Sequence, residues 1–293
     1  MDTITIITTI INGLSLGGIY AMIALGYTMV YGIAKMLNFA HGDVIMAGGY
    51  SIFVVLNMTG HPALAIGFAV IFCVVLGVVV EKIAYKPLRG ASPLAVLITA
   101  IGVSYLLQSL AQIIFGAASK MVNIADPKVI KIGQLDLQVN TVITLFSTFV
   151  IMVILSVFVK FSRTGRAMIA VSEDKGAAQL MGINVNKIIT ITFAIGSALA
   201  ALAGCFFLLK SPMLSTTFGS LPGIKAFTAA VIGGIGSIPG AMLGGILLGL
   251  VEAISYKITV IAPYTDAIEF SILILILLVR PTGFLGKKRR EKV

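Results

Sequence analysis

The sequence predicts an all-α, polytopic transmembrane helical bundle, and three observations carry that expectation. Of the 293 residues, 58% are hydrophobic and only 11% are charged, against about 25% charged in an ordinary soluble domain. Mean hydropathy is +1.08. The apolar residues are also gathered into long runs between short polar loops, and a helix needs roughly 20 such residues to cross a bilayer.

The first run, 4–33, includes an N-terminal stretch, MDTITIITTIINGLSLGG, with an acidic residue and no basic segment. It therefore reads as part of a span and not as a signal peptide. Further runs follow at 62–81, 93–115, 141–159, 188–209, 240–256 and 267–279. Two more stretches, 39–57 (FAHGDVIMAGGYSIFVVLN) and 224–239 (IKAFTAAVIGGIGSIP), are apolar but broken by glycine. Each is expected to be a full span, a broken helix or a re-entrant piece, which brings the bundle to about eight spans. Both follow a long helix, at similar places in the two halves of the chain. That is a weak internal two-half repeat, of the kind transporters carry.

Basic residues set the expected sides. Lys82, Lys86 and Arg89 lie in one loop, and Lys160, Arg163, Arg166, Lys175 and Lys187 in or beside a second. Arg280, Lys287, Lys288, Arg289, Arg290 and Lys292 close the chain. Together these hold most of the 21 basic residues, so all three regions are expected on the cytoplasmic side. The single domain 1–293 then has 160–187 as an inner loop, 116–140 as an outer loop and a cytoplasmic C-terminus. The outer loop contains Asp126-Pro127 and the alternating IKIGQLDLQV, which predicts a small hairpin. The side of the N-terminus depends on whether 39–57 crosses.

The formal charge of +10 does not call for a nucleic acid, because cytoplasmic loops of membrane proteins collect Lys and Arg. Cys73 and Cys205 both lie inside apolar runs and read as buried small hydrophobes. The histidines, His41 and His61, are isolated, His61 in the loop NMTGHPAL. With no G-x-S-x-G, no H-E-x-x-H and no paired cysteines at metal spacing, enzyme and metal readings have no support.

Within the inner loop, AVSEDKGAAQLMGINV has the marks of a short soluble helix. Ser172 is placed to cap it, Glu173 and Asp174 put negative charge at its start, and Gly182 follows Leu180 and Met181 as a left-handed terminator. About nine residues cannot span a bilayer. Ala177 and Ala178 would allow another surface to approach closely.

The block LNFAHGDVIMAGG puts Asn38, His41 and Asp43 in or beside an apolar region. Such groups at membrane depth usually face an interior or a cavity. Two readings stay open: Asn38 caps a helix and His41 packs against a neighbour, or they contact a passing solute. In AAVIGGIGSIPGAMLGG, Gly233, Gly234, Gly236, Ser237, Pro239, Gly240, Gly244 and Gly245 lack the lysine of a phosphate loop. They read as tight helix packing, or as an unwound segment offering backbone groups to a solute. Glu81 and Lys82, at a helix end, are expected to snorkel. Gln108 is a further polar membrane residue; Glu252 is explained by an interface or by Lys257, and Glu269 is placed near the outer interface. No chain of carboxylates for proton coupling is evident.

Three blocks also carry a family resemblance: NGLSLGGIYAMIALGYTMVYGIAKMLNFAHGDVIMAGGY, GRAMIAVSEDKGAAQLMGINVNKIITITFAIGSALAALAG and KAFTAAVIGGIGSIPGAMLGGILLGLVEA. Together they resemble the LivH-type permeases of bacterial branched-chain amino acid ABC importers, in the family's order and along essentially the whole chain. The resemblance implies an inner-membrane permease carrying half of a path for Leu, Ile and Val. It implies a LivM-like second permease, two LivG- and LivF-like ATPases that use the ATP, and a periplasmic binding protein. No cofactor is implied for this chain itself. The helix with Ser172, Glu173, Asp174, Ala177, Ala178, Leu180 and Gly182 is similar to the helix that couples to an ATPase. Asn38, His41, Asp43, Gly233, Gly234, Gly236, Ser237 and Pro239 are the candidates for the path. The alternatives are another small neutral solute (another amino acid, urea or a short amide), a self-sufficient secondary transporter or channel, or a structural subunit.

Overall fold

The computed structural model describes residues 3–126, 128–132 and 135–286. Eight of its helices are long and apolar enough to cross a membrane. In chain order the elements are α1 Thr3–Ala34, α2 His41–Thr59, α3 Pro62–Val80, α4 Pro93–Phe115, β1 Lys120–Met121, β2 Val129–Ile132, β3 Leu135–Gln138 and α5 Val139–Phe161. There follow α6 Arg163–Glu173, α7 Lys175–Leu180, α8 Val185–Lys210, β4 Met213–Leu214, α9 Ser220–Gly233, α10 Ile238–Lys257 and α11 Thr265–Val279.

α1 is apolar on every side and is buried on every side from Leu16 to Val30, as an all-round hydrophobic helix must be. At about 1.5 Å per residue its 32 residues exceed a bilayer's roughly 30 Å hydrocarbon core. It runs antiparallel to α10: Gly13 lies against Leu250 and Ala253 and Gly17 against Ile246, while Gly32 meets Gly236 in the turn before α10. Small residues four apart let the backbones touch, which is the usual basis of helix association where lipid removes the hydrophobic drive. A Cβ added at Gly17 would lie 2.7 Å from the Cα of Ile246. α8 packs on α2 and α3 in the same manner, with Gly48 close to Ala201 and Gly204 close to the carbonyl of Ile45.

The two-half repeat is visible as an inverted one. Each half has a long helix (α1, α8), a chain reversal, and a helix that begins inside the bundle (α2, α9) before two more helices. α1 packs on α10 as α8 packs on α3, and the halves run in opposite directions. The two expected broken stretches resolve differently. The first, 39–57, is a full 19-residue helix starting at His41. The second, 224–239, is not one element. It covers most of a 14-residue helix that starts earlier, at Ser220, then the turn after Gly233 and the start of α10.

One end of the bundle gathers the polar loops. Lys175 Nζ donates to the carbonyl of Ala34 at 2.9 Å, Arg89 bonds Asn186, and Gly234 meets Thr282 and Gly286. Hence the loop after α3, the α6–α7 segment and residues 282–286 lie together. The basic run 287–292 lies outside the described residues. At the other end β2 and β3 form the expected hairpin, Val129 opposite Gln138 and Ile130 opposite Leu137. Its turn residues 133–134, and Pro127, lie outside the described residues. An additional pair, β1 with β4, ties Lys120 to Leu214. After Val80 the helix widens into a π-turn, Glu81–Tyr85. This turns Glu81 inward, against the expectation that it snorkels: Glu81 is fully buried, paired with Arg89 and accepting from Thr190 Oγ1 at 2.9 Å.

Two glycine substitutions separate packing from propensity. Gly17→Val should lower the unfolding free energy by about 1–3 kcal/mol through overpacking. Gly102→Ala, in α4 with nothing within 4 Å, should raise it by up to about 1 kcal/mol. Thermal unfolding in detergent, followed by circular dichroism, checks both.

Candidate functional site

The two helices that begin inside the bundle begin at the same place. Gly42 in the first turn of α2 lies against Gly219 and Gly223 at the start of α9: a Cβ at Gly42 would be 2.6 Å from the Gly219 carbonyl oxygen, and one at Gly223 would be 3.1 Å from the Gly42 Cα. Only residues without a Cβ permit this approach. The contact sits beside Tyr27, about 10 Å short of α1's end at 1.5 Å per residue. Two helix N-termini, each the positive end of a dipole, therefore converge within the span, the arrangement seen where broken helices frame a solute site.

Beside this junction is a cavity of about 290 Å³ lined by the polar Asp43, Ser104, Gln108 and Ser220 and by Tyr27 and Phe39, together with Ile101, Tyr105 and Ile224. That volume is near the lower bound for a small-molecule site. Asp43 is only 2% exposed, and its Oδ1 accepts from Gln108 Nε2 at 2.8 Å. The same Nε2 lies 3.2 Å from Ser104 Oγ and 3.4 Å from Ser220 Oγ. An amide nitrogen has two protons, so one serves Asp43 and the other is shared between the hydroxyls. The cavity thus offers a carboxylate, two hydroxyls and an amide in an apolar surround. It can bind a small molecule with a cationic or donor head and an apolar tail.

The other expected path residues have different places. His41 is buried with its ring edge-on to Tyr27, centroids 4.7 Å apart, and it packs over Gly26. Its Nε2 makes no hydrogen bond among the described residues, and it does not line the cavity. Asn38 does not cap α2, whose cap position is Ala40 and has no side-chain bond. Asn38 Oδ1 instead accepts from Tyr85 OH at 2.7 Å. Gly233, Gly234, Gly236, Ser237 and Pro239 build the α9–α10 turn at the loop end. Gly234 and Gly236 take φ of +106° and +95°, which suits glycine. Ser237 Oγ caps α10 by accepting from Gly240 N at 3.2 Å. None of the five lines the Asp43 cavity.

The short loop helix also differs from expectation in its start. Ser172 and Glu173 are the last residues of α6, not the beginning of the next helix, and the Ser172 hydroxyl donates to the carbonyl of Ile169 at 2.7 Å. Asp174 is the cap: its Oδ1 accepts from the N–H of Gly176 at 2.8 Å and of Ala177 at 3.0 Å. α7 is thus six residues long. Gly182 ends it with φ +80°; its N–H bonds the Gln179 carbonyl and that of Ile183 bonds Ala178, a Schellman closure. Ala178 faces inward and is buried, whereas Ala177 faces out beside Leu180 and Met181, which are 91% and 82% exposed. Close approach is therefore open on the Ala177 side only. Burial and the neighbouring Arg89 hold the Lys175 ammonium below the usual lysine range.

Sequence reading missed one further group. Lys225, in α9, is 2% exposed, with Nζ 3.2 Å from Glu252, 2.7 Å from Asp266 and 3.2 Å from Glu269. Glu252 and Glu269 are thus not separate; one lysine joins them. The available signal was Lys225 itself, a lone cation in an apolar stretch. Among the described residues no three His, Cys, Asp or Glu side chains are arranged to hold a metal ion.

A family model described as "Branched-chain amino acid transport system / permease component" matches residues 9–277. The chain is 42% identical to the high-affinity branched-chain amino acid transport system permease protein BraD of Pseudomonas aeruginosa, over 97% of each chain. It is 41% identical to the corresponding protein LivH of Escherichia coli, over 96% of each. A probable branched-chain amino acid transport permease protein LivH of Methanocaldococcus jannaschii is 29% identical over 90% of this chain and 88% of its own.

The Asp43–Gln108 pair gives a double-mutant cycle. Gln108→Leu should cost about 1–3 kcal/mol by leaving a buried acceptor short of its donor, and adding Asp43→Leu should recover most of that loss. Thermal unfolding of the four proteins in detergent measures the coupling.

Proposed function

Because the chain belongs to the family of branched-chain amino acid transport system permease components, we propose that it forms half of the membrane path of an ATP-driven importer for Leu, Ile and Val. The observation that carries the ATP-driven part of this reading is α7. A helix capped at both ends, packed on the bundle through Ala178 but with Leu180 and Met181 almost fully exposed, suits a soluble partner that covers them. An isolated surface would expose no such pair without cost.

In this reading the loop end is cytoplasmic, following the Lys and Arg bias, and residues 160–187 couple to one of two LivG- and LivF-like ATPases. Because α1 ends at the loop end, its N-terminus is periplasmic. The loop 116–140 then faces the periplasmic binding protein. A LivM-like second permease supplies the other half of the path. ATP is used by the partners, and this chain binds no cofactor. Closure of the ATPases pushes on α7, and the Lys175–Ala34 bond passes that push to the end of α1. From there, segment 35–40 leads directly into the first turn of α2 and Asp43.

The Asp43 cavity is this chain's share of the path. Its carboxylate and hydroxyls suit the ammonium group of an amino acid, and Tyr27, Phe39, Ile101 and Ile224 suit a branched apolar side chain. A secondary-carrier reading has one observation in its favour, the carboxylates around Lys225. The lysine, however, occupies the centre where a coupling ion would have to sit.

The test is purification from native membranes in mild detergent, with uptake assayed in proteoliposomes against Leu, Ile, Val, other amino acids, urea and short amides. Two ATPases and a second permease are expected with the wild-type chain. Leu180→Asp with Met181→Asp should lose the ATPase that α7 contacts and reduce ATP-dependent leucine uptake at least ~10-fold, as removal of buried anchor residues does at other interfaces, with the melting curve unchanged. Leucine uptake by the chain alone, indifferent to ATP and to these substitutions, would establish the carrier instead.

A further inference from the structure

We propose that Lys225 is the positioning residue of the Asp43 cavity, setting the depth at which the half-helix α9 presents Ser220 to Gln108 and Asp43. The inference rests on the transport reading only for its uptake consequence; the positional claim stands on geometry.

α9 has 14 residues and begins inside the bundle, so no length of span fixes it along its own axis. At its far end only the last turn is tied, Phe284 N and Leu285 N donating to the carbonyls of Ile232 and Gly233, each at 2.9 Å. At the site end Gly219 and Gly223 touch Gly42, which limits approach but supplies no attraction. Lys225 supplies it. The residue before it, Ile224, lines the cavity, as does Ser220 one turn earlier. The lysine points away from the cavity toward α10 and α11.

An ammonium has three protons and no acceptor, and Lys225 has three carboxylate partners: Glu252 of α10, and Asp266 and Glu269 of α11. Glu252 is held in turn by the Tyr20 hydroxyl of α1 at 2.7 Å. The three carboxylates surround the ammonium, and the cluster ties α9 to α10 and α11, and through Tyr20 to α1. A shift of α9 by one residue is about 1.5 Å along its axis. That is enough to break the 3.4 Å contact between Ser220 and Gln108. The ion cluster therefore decides whether the hydroxyl and the carboxylate face one solute position.

The experiment uses the complete transporter in native-lipid proteoliposomes, with Cys73→Ala and Cys205→Ala as background. Gln108→Cys paired with Ser220→Cys reports the depth of α9 through cross-linking by a short bifunctional thiosulfonate. The parent pair should cross-link. Adding Lys225→Met should lower the yield at least about fivefold, the lower range of ordinary coupling between sites, whereas Lys225→Arg should retain most of it. In the chain without the cysteine pair, Lys225→Met should raise the KM for leucine with ATPase subunits still bound. A variant with Lys225→Met, Glu252→Gln, Asp266→Asn and Glu269→Gln removes the unpaired charges. It should regain expression level and melting temperature while its cross-link stays low. It also carries the measurement if Lys225→Met alone does not insert. Parental cross-linking in Lys225→Met, or its restoration in the neutral variant, overturns the proposal. A lost cross-link, together with a wild-type transporter that moves no leucine, leaves the positioning intact and removes the transport reading.

Discussion

A helix that begins inside a bilayer leaves its first N–H groups without water to bond, and this molecule solves that problem twice at one point. α2 and α9 each start inside the bundle, and each is entered by a tight turn that closes on itself. His41 N donates to Asn38 O and Asp43 N to Ala40 O, while Phe218 N donates to Ser215 O and Ser220 N to Thr217 O. The two starts shelter each other because Gly42, Gly219 and Gly223 carry no side chain. Every other feature of the site follows from this contact. It brings two dipole ends together, places Asp43 beside Ser220, and leaves the cavity that α4 closes with Ser104 and Gln108.

The charges have a different task. A buried ammonium or carboxylate is tolerated only when its partners replace water, and the Glu81 and Lys225 clusters each join separate parts of the helical frame. Glu81 sits in the π-turn that ends α3, bound by Arg89 and Thr190. Lys225 sits where α9 passes α10 and α11. In each case residues from three separate segments are joined by one group. Ionic contacts are used for placement, whereas the bulk of the bundle is held by close glycine and alanine packing along α1, α8 and α10.

The loop end follows soluble rules. Asp174 and a Schellman closure make a six-residue helix in a place where length alone would not sustain one, and its exposed pair, Leu180 and Met181, is on the surface that the packing does not need. The same short segment touches the end of α1 through Lys175. The contact surface for a partner and the path into the cavity are therefore a few residues apart in structure, though far apart in sequence.

Composition and run length alone determined that this is a helical membrane protein with about eight spans, because lipid demands apolar length and internally bonded backbone whatever the tertiary arrangement. The hairpin at 129–138, the left-handed Gly182 and the buried Asp43 were also legible, since each depends on local pattern. Lys225 was not, nor the joining of Glu252 to Glu269, because a lone charge in an apolar stretch does not reveal which helix will face it. Asn38 binding Tyr85, Asp174 capping where Ser172 was expected, and Ala178 turning inward escaped for the same reason. Each local rule permits several partners, and only the packing of one helix on another selects among them. The meeting of Gly42 with Gly219 belongs wholly to the tertiary structure: its two glycines lie in opposite halves of the sequence, and nothing but the inverted arrangement of the halves brings them into contact.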